Sequence, residues 1–136
     1  MKSLYANASA FTLLSRQEAA AVVFAEASSY GLPSVAFDTG GVSTLVKDGD
    51  NGLLFSLDTP IEAIADKLGA LLRDPQAHAE MRVRARTRFE TKLNWSSWGD
   101  TAARTIEQAI AEWPAKAAWL HEQRLSSFAS AGRKSG

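Results

Sequence analysis

The sequence predicts an α/β fold, a short parallel sheet flanked by helices with a helical C-terminal third, from three observations. Short apolar runs alternate with an alanine-rich, nearly all-apolar stretch that reads as a buried helix. Strand, helix and strand follow one another through short connections, and parallel neighbours need such a crossover. From residue 58 onward the apolar residues recur at helical spacing instead.

Phe11 to Leu14 is a short apolar run and reads as a buried strand. After the polar break Ser15-Arg16-Gln17-Glu18, the stretch Ala19 to Tyr30 reads as a helix. Gly31 stops it, because glycine accepts the left-handed conformation common past a helix end, and Pro33 cannot continue it. Ser34 to Phe37 is the next strand, Asp38-Thr39-Gly40-Gly41 a turn, and Val42 to Val46 a short helix. Residues 47–52 are dense in turn formers, and Leu53 to Phe55 is a third strand. Asp58 or Thr59 can cap a helix with Pro60 near its start, along which Ile61, Ile64, Ala65, Leu68, Leu71 and Leu72 form an apolar stripe. Asp74-Pro75 separates it from an arginine-rich helix reaching about Thr91. Asn94 to Ser97 opens another, about Trp98 to Trp113. Pro114 is expected to break the chain before a last helix, about Ala115 to Phe128. This divides the chain into a domain over residues 1–113, a helix over 114–129 and a disordered tail over 130–136.

Size and charge narrow the function. The 136 residues suffice for one core. Apolar residues at 46% and charged residues at 22% match ordinary globular proteins. A net charge of zero gives no surplus of Lys and Arg for nucleic acid or an anionic membrane. Without cysteine there is no disulfide, thiolate nucleophile or Cys-based zinc site, which fits a cytoplasmic protein. The apolar run Ala19 to Ala25 is far shorter than the roughly 20 residues a bilayer needs.

The chemistry concentrates between Ser15 and Phe55. Glu18 and Glu26 are eight residues apart. On one helix they would be separated by roughly 12 Å at about 1.5 Å per residue, close to the span from sugar to ribose in a nucleotide sugar. Two ionised carboxylates there can accept hydrogen bonds from sugar and ribose hydroxyls. Glu26 sits among Val22, Val23, Phe24 and Ala25, where a buried carboxylate is costly unless satisfied. The bland alternatives are a favourable helix-dipole charge at Glu18 and an ion pair between Glu26 and Arg16 or another cation.

The order of the signals is more specific than any one. Glu18, Glu26-Ala27, Gly31-Leu32-Pro33, Gly40-Gly41 and Asp48-Gly49-Asp50-Asn51-Gly52-Leu53-Leu54-Phe55 form a series. That series resembles the retaining GT-B glycosyltransferases usually grouped as family 4, over about residues 4 to 113. The resemblance implies a partial, Rossmann-like C-terminal half of the GT-B fold, which binds a nucleotide-sugar donor (a UDP-, GDP- or ADP-sugar). It implies that Glu18 contacts the donor sugar as the catalytic carboxylate, that the backbone of Ala20, Ala21 and Val22 approaches sugar and diphosphate, and that Glu26 binds ribose. It implies no metal and no other cofactor. Relatives hold the diphosphate with an Arg and a Lys upstream of this motif and bind the acceptor on a separate N-terminal Rossmann-like domain. Both are expected to lie outside this chain, leaving it inactive alone, and the full-length protein to be cytoplasmic or peripheral to the inner face of a membrane. The chain departs from the family where Ala19 and Ala21 replace the usual glycines and where Thr44 stands in place of an acid. A GT-B sugar-nucleotide epimerase fragment and a non-catalytic interaction module are the alternatives.

Other candidates are weaker. Gly40-Gly41 reads as a tight turn sooner than an anion nest. His78 and His121 have no ligand partners at useful spacing, so solvent or packing roles are expected. Arg82, Arg84, Arg86 and Arg88 point in several directions around one helix and are expected to be solvated. Trp95, Trp98, Trp113 and Trp119 are expected to anchor packing.

Overall fold

The computed structural model describes residues 2–19 and 22–131, with side chains described through residue 119. The chain forms two compact units, Met1–Ser97 and Trp98–Gly136. The first holds helix α1 (Lys2–Asn7), strand β1 (Phe11–Leu13), α2 (Val23–Ser29), β2 (Ser34–Phe37), α3 (Val42–Leu45), β3 (Gly52–Phe55), α4 (Ile61–Arg73) and α5 (Pro75–Arg88). A π-helical turn, Phe89–Leu93, extends α5, and α6 (Trp95–Ala131) follows.

The strands are parallel in the order β1-β2-β3, with Phe11 paired to Ser34 and Ser34 to Gly52. Strand alternation sends successive side chains to opposite faces. Val35, Leu53 and Phe55 pack with Ile64 and Leu71 of α4 and Met81 of α5 on one face. On the other, Ala36 packs with Phe24 of α2 and with Val42 and Val46. β2 and β3 are covered on both faces, as in the interior of a parallel sheet, whereas Thr12 of the edge strand β1 is exposed.

The boundaries show where local signals were overridden. The α2 helix begins at Val23, not Ala19, so Glu18 lies in the preceding loop and the helical spacing between Glu18 and Glu26 does not apply. Arg16, Glu18 and Ala19 lie instead against the turn after β2. Neither Asp58 nor Thr59 caps α4. Asp58 accepts from the Ser56 hydroxyl, which holds its carboxyl pKa below the ordinary value, and Thr59 Oγ1 lies 3.1 Å from Ser56 Oγ. Only Ile64, Leu68 and Leu71 of the predicted α4 stripe turn inward, whereas Ile61, Ala65 and Leu72 are exposed. Asp74 does cap α5, accepting from the Gln76 and Ala77 amides at 3.1 and 3.0 Å. Asn94 caps α6 in the same way through the Ser97 amide, at 2.9 Å.

The arginines of α5 are not a solvated face. Arg82 donates to the Ala8 and Tyr30 carbonyls, Arg86 to Ser29, Arg84 to Asp50, and Arg88 to Thr44 and Leu45. Ser29–Tyr30 and Thr44–Leu45 are the C-terminal turns of α2 and α3, whose last carbonyls have no intrahelical donor. A guanidinium satisfies them and complements the negative end of the helix. His78 is similarly placed, with Nε2 2.7 Å from the Ser9 carbonyl; the side chain of His121 lies outside those described.

Pro114 does not break the chain: α6 runs through it, giving up the bond its missing N–H would have made to the fourth residue back. Ser130 and Ala131 are helical, and the rest of the predicted tail lies outside the described residues. Trp95, Trp98, Trp113 and Trp119 are each more than half exposed and so do not anchor a core. Among the described residues no helix is long and apolar enough to cross a membrane.

Candidate functional site

Three loops leave the C-terminal ends of the strands, the edge at which open α/β sheets bind ligands. The loop after β1 carries half-buried Glu18. It lies against the turn after β2. The Gly41 amide donates to the Ala19 carbonyl at 2.8 Å, and the Thr39 hydroxyl donates to the Arg16 carbonyl at 3.3 Å. Gly40, at φ +54°, lies so close that a Cβ there would be 1.7 Å from the Glu18 carbonyl oxygen. Only glycine permits both that conformation and that approach.

Glu26 lies in the first turn of α2 and is exposed, so burial does not impose a need for a ligand on it. Phe24, Ala27 and Ser28 form the buried face instead. The Tyr5 hydroxyl donates to Glu26 Oε2 at 3.3 Å, a contact from a helix that the sequence reading did not foresee. Tyr5 is fixed by stacking on Tyr30, with ring centroids 5.3 Å apart, and by a tilted contact with Phe11. A carboxylate offers about four acceptor sites, so Glu26 retains capacity for other hydroxyls. Val22 precedes α2 and is exposed; Ala20 and Ala21 lie outside the described residues. Clefts lined by Ser29, Arg82 and Glu90 or by Asp50, Arg84 and Lys92 lie elsewhere and include neither Glu18 nor Glu26.

Burial of the phenol, then the charge and hydrogen bond of Glu26, push the Tyr5 pKa above its ordinary value. A raised folded-state value favours the neutral phenol, so its contribution to stability is full below about pH 10 and is lost as pH rises through the raised value. Phenolate absorbance should therefore give a Tyr5 step, isolated by subtracting Tyr5→Phe, with its midpoint above about 10. Glu26→Gln should bring it part of the way down. An unmoved midpoint in Glu26→Gln would remove the Tyr5–Glu26 contact from the account.

The remaining polar signals serve the fold. Asn51 is fully buried; its Oδ1 accepts from the Lys47 amide at 2.7 Å and its Nδ2 donates to the Leu45 carbonyl at 3.0 Å. Asp48 accepts from the Leu54 amide at 2.9 Å. The Thr44 hydroxyl donates to the Gly41 carbonyl at 2.6 Å.

A family model described as glycosyl transferases group 1 matches residues 1–88. A D-inositol 3-phosphate glycosyltransferase of Salinispora tropica is 32% identical over 133 residues, which is 98% of this chain and 26% of that protein. The chain spans about a quarter of the length of the curated relatives it matches. Among solved structures, sucrose-phosphate synthase from Thermosynechococcus elongatus superposes with a TM-score of 0.68 at 25% identity, covering 79% of this chain and 27% of that one. The Anabaena protein HepE, in complex with UDP-glucose, superposes with a TM-score of 0.66 at 25% identity, covering 77% and 29%.

Proposed function

The chain belongs to the glycosyl transferases group 1 family, and from that premise we propose that it is the nucleotide-sugar-binding part of a retaining glycosyltransferase. The observation that carries the reading is the superposition on a sheet whose counterpart was solved with UDP-glucose. The position of Glu18 at the C-terminal edge of this sheet supports it. In this reading Glu18 is the catalytic carboxylate and accepts hydrogen bonds from donor-sugar hydroxyls. Glu26 accepts from ribose, and the backbone of residues 20–22 approaches sugar and diphosphate. The donor-binding domain covers residues 1–113. An Arg and a Lys upstream of this segment, in the same donor-binding domain, clamp the diphosphate, and a separate N-terminal Rossmann-like domain binds the acceptor, in the cytoplasm or at the inner face of a membrane.

For the 136-residue chain alone the expected affinity is low. Hydrogen bonds to carboxylates exchange against water and contribute about 0.5–3 kcal/mol net, whereas a millimolar dissociation constant already requires roughly 4 kcal/mol. Titration of isotopically labelled chain with UDP-glucose should shift the amides of Glu18, Ala19 and Glu26, with half-saturation in the millimolar range or above. Glu26→Ala should weaken the response, and a chelator should leave it unchanged. Shifts confined to other parts of the sheet, or none at all near saturation of the solvent with ligand, would sink the donor-site reading. A response that appears only on adding magnesium or manganese would refute its metal-free form.

A further inference from the structure

We infer that Thr39 and Gly40 are positioning residues for Glu18, an inference that rests on the donor-site reading above. The Glu18 loop is not carried by α2, which starts only at Val23. Its described backbone is seated on the turn after β2 at three successive points. The Thr39 hydroxyl takes the Arg16 carbonyl, the bare Cα of Gly40 lies under the Glu18 carbonyl, and the Gly41 amide takes the Ala19 carbonyl.

The turn that makes these contacts is itself anchored. The Asp38 amide donates to the Phe55 carbonyl at the end of β3, at 2.7 Å, and the Val42 amide donates to the Thr39 carbonyl at 3.1 Å. Val42, one residue past the turn, is 1% exposed in the core. Residues 39–41 therefore form a platform fixed to the sheet, and the loop bearing Glu18 takes its height above the sheet from that platform. A methyl group at residue 40 would have to push the Glu18 backbone away by more than about 1 Å, a displacement large enough to disrupt an aligned site. The glycine pair is in this account a seat for the neighbouring loop, and the carboxylate is placed by residues more than twenty positions along the chain.

The test uses the labelled 136-residue chain as wild type and as Thr39→Val, Thr39→Ser and Gly40→Ala. Without ligand, Thr39→Val and Gly40→Ala should shift the amides of Gln17 to Ala19 and speed exchange of the Gly41 amide. Thr39→Ser, which keeps the hydroxyl, should restore both, and the Leu54 amide in β3 should stay protected in every variant. With UDP-glucose, Thr39→Val should bind about three- to tenfold more weakly, the usual effect of losing one hydrogen bond. Thr39→Ser should bind as wild type. Should Gly40→Ala fail to fold, the Thr39 pair decides the matter. Unchanged loop amides and Gly41 exchange in Thr39→Val would overturn the inference, as would unchanged UDP-glucose affinity where the wild type binds. A wild type whose Glu18 amide ignores UDP-glucose refutes the donor-site reading instead, and the ligand-free arm still decides whether residues 39 and 40 seat the loop.

Discussion

Replacing Phe24 with alanine should cost the first unit about 3–5 kcal/mol, the range for truncating a buried aromatic side chain. Phe24 is 1% exposed and packs in one cluster with Ala36, Val42 and Val46. It meets Phe11 edge to face, with ring centroids 5.7 Å apart and planes at 84°. The loss combines the apolar transfer term with a cavity that the sheet on one side and the rest of α2 on the other cannot fill. Single domains are stable by only about 5–15 kcal/mol, so the loss is a large share of the total. Urea unfolding followed by circular dichroism should show a lowered midpoint at nearly constant slope. Phe24→Leu, which keeps much of the volume, should lose clearly less. A Phe24→Ala midpoint within about 1 kcal/mol of wild type would mean that α2 is not held by this cluster. The result also bears on the site, because Glu26 lies two residues along the same helix.

The sheet was legible because each strand is a compact apolar run bounded by turn formers. Ser34–Phe37 appears as read, and the other two differ by a residue at one end. The reason is physical: β2 and β3, covered on both faces, have no exposed polar alternate positions to blur their limits, and in β1 Phe11 and Leu13 flank the exposed Thr12. Helix limits were less legible. Ala19 to Val22 has strong helical composition, yet the described part of that stretch answers to tertiary contacts with residues 39–41, which no local window contains. Helix α1 was missed because its six residues are too few for a periodic signal, and Tyr5 meets Phe11, Glu26 and Tyr30 across the fold.

The site was legible as a series of motifs and less so as geometry. The order of Glu18, Glu26, Gly40-Gly41 and residues 48–55 identified the family now matched over residues 1–88. Neither helical spacing nor burial sets the two carboxylates apart, since Glu18 is off the helix and Glu26 is exposed. Polar residues of the last motif, Asp48 and Asn51, brace a loop. The arginines showed no common face because their targets, the C-terminal carbonyls of α2 and α3 among them, lie in different directions from α5. Their alternation in sequence carried no hint of those partners.

Gly52→Ala should be as damaging as the loss of Phe24 through the opposite defect, an excess of atoms. Gly52 opens β3 opposite Ser34 of β2, and a Cβ there would lie 2.1 Å from the Ser34 carbonyl oxygen and 2.9 Å from Val46 Cγ1. The carbonyl cannot retreat, because β2 is the central strand and Ser34 is fully buried, paired with Phe11 on its other side. Gly52 cannot retreat either. Its carbonyl accepts from the Gly49 amide at 2.9 Å, and the preceding Asn51 is fixed by its bonds to Lys47 and Leu45. Overpacking a core typically costs about 1–3 kcal/mol, and a clash between two fixed backbones belongs at or above the top of that range. Asn51→Ala supplies the comparison. It leaves the part-buried Lys47 amide without its acceptor, worth about 0.5–1.5 kcal/mol, while the Leu45 carbonyl keeps the Arg88 guanidinium at 3.2 Å. Urea unfolding should therefore rank Gly52→Ala below Asn51→Ala and both below wild type. Amide exchange should show Gly52→Ala losing protection at Leu53 and Leu54, where β3 pairs with β2. A Gly52→Ala variant as stable as Asn51→Ala, with that protection intact, would show that β3 can move away from β2 at its first residue without losing its register.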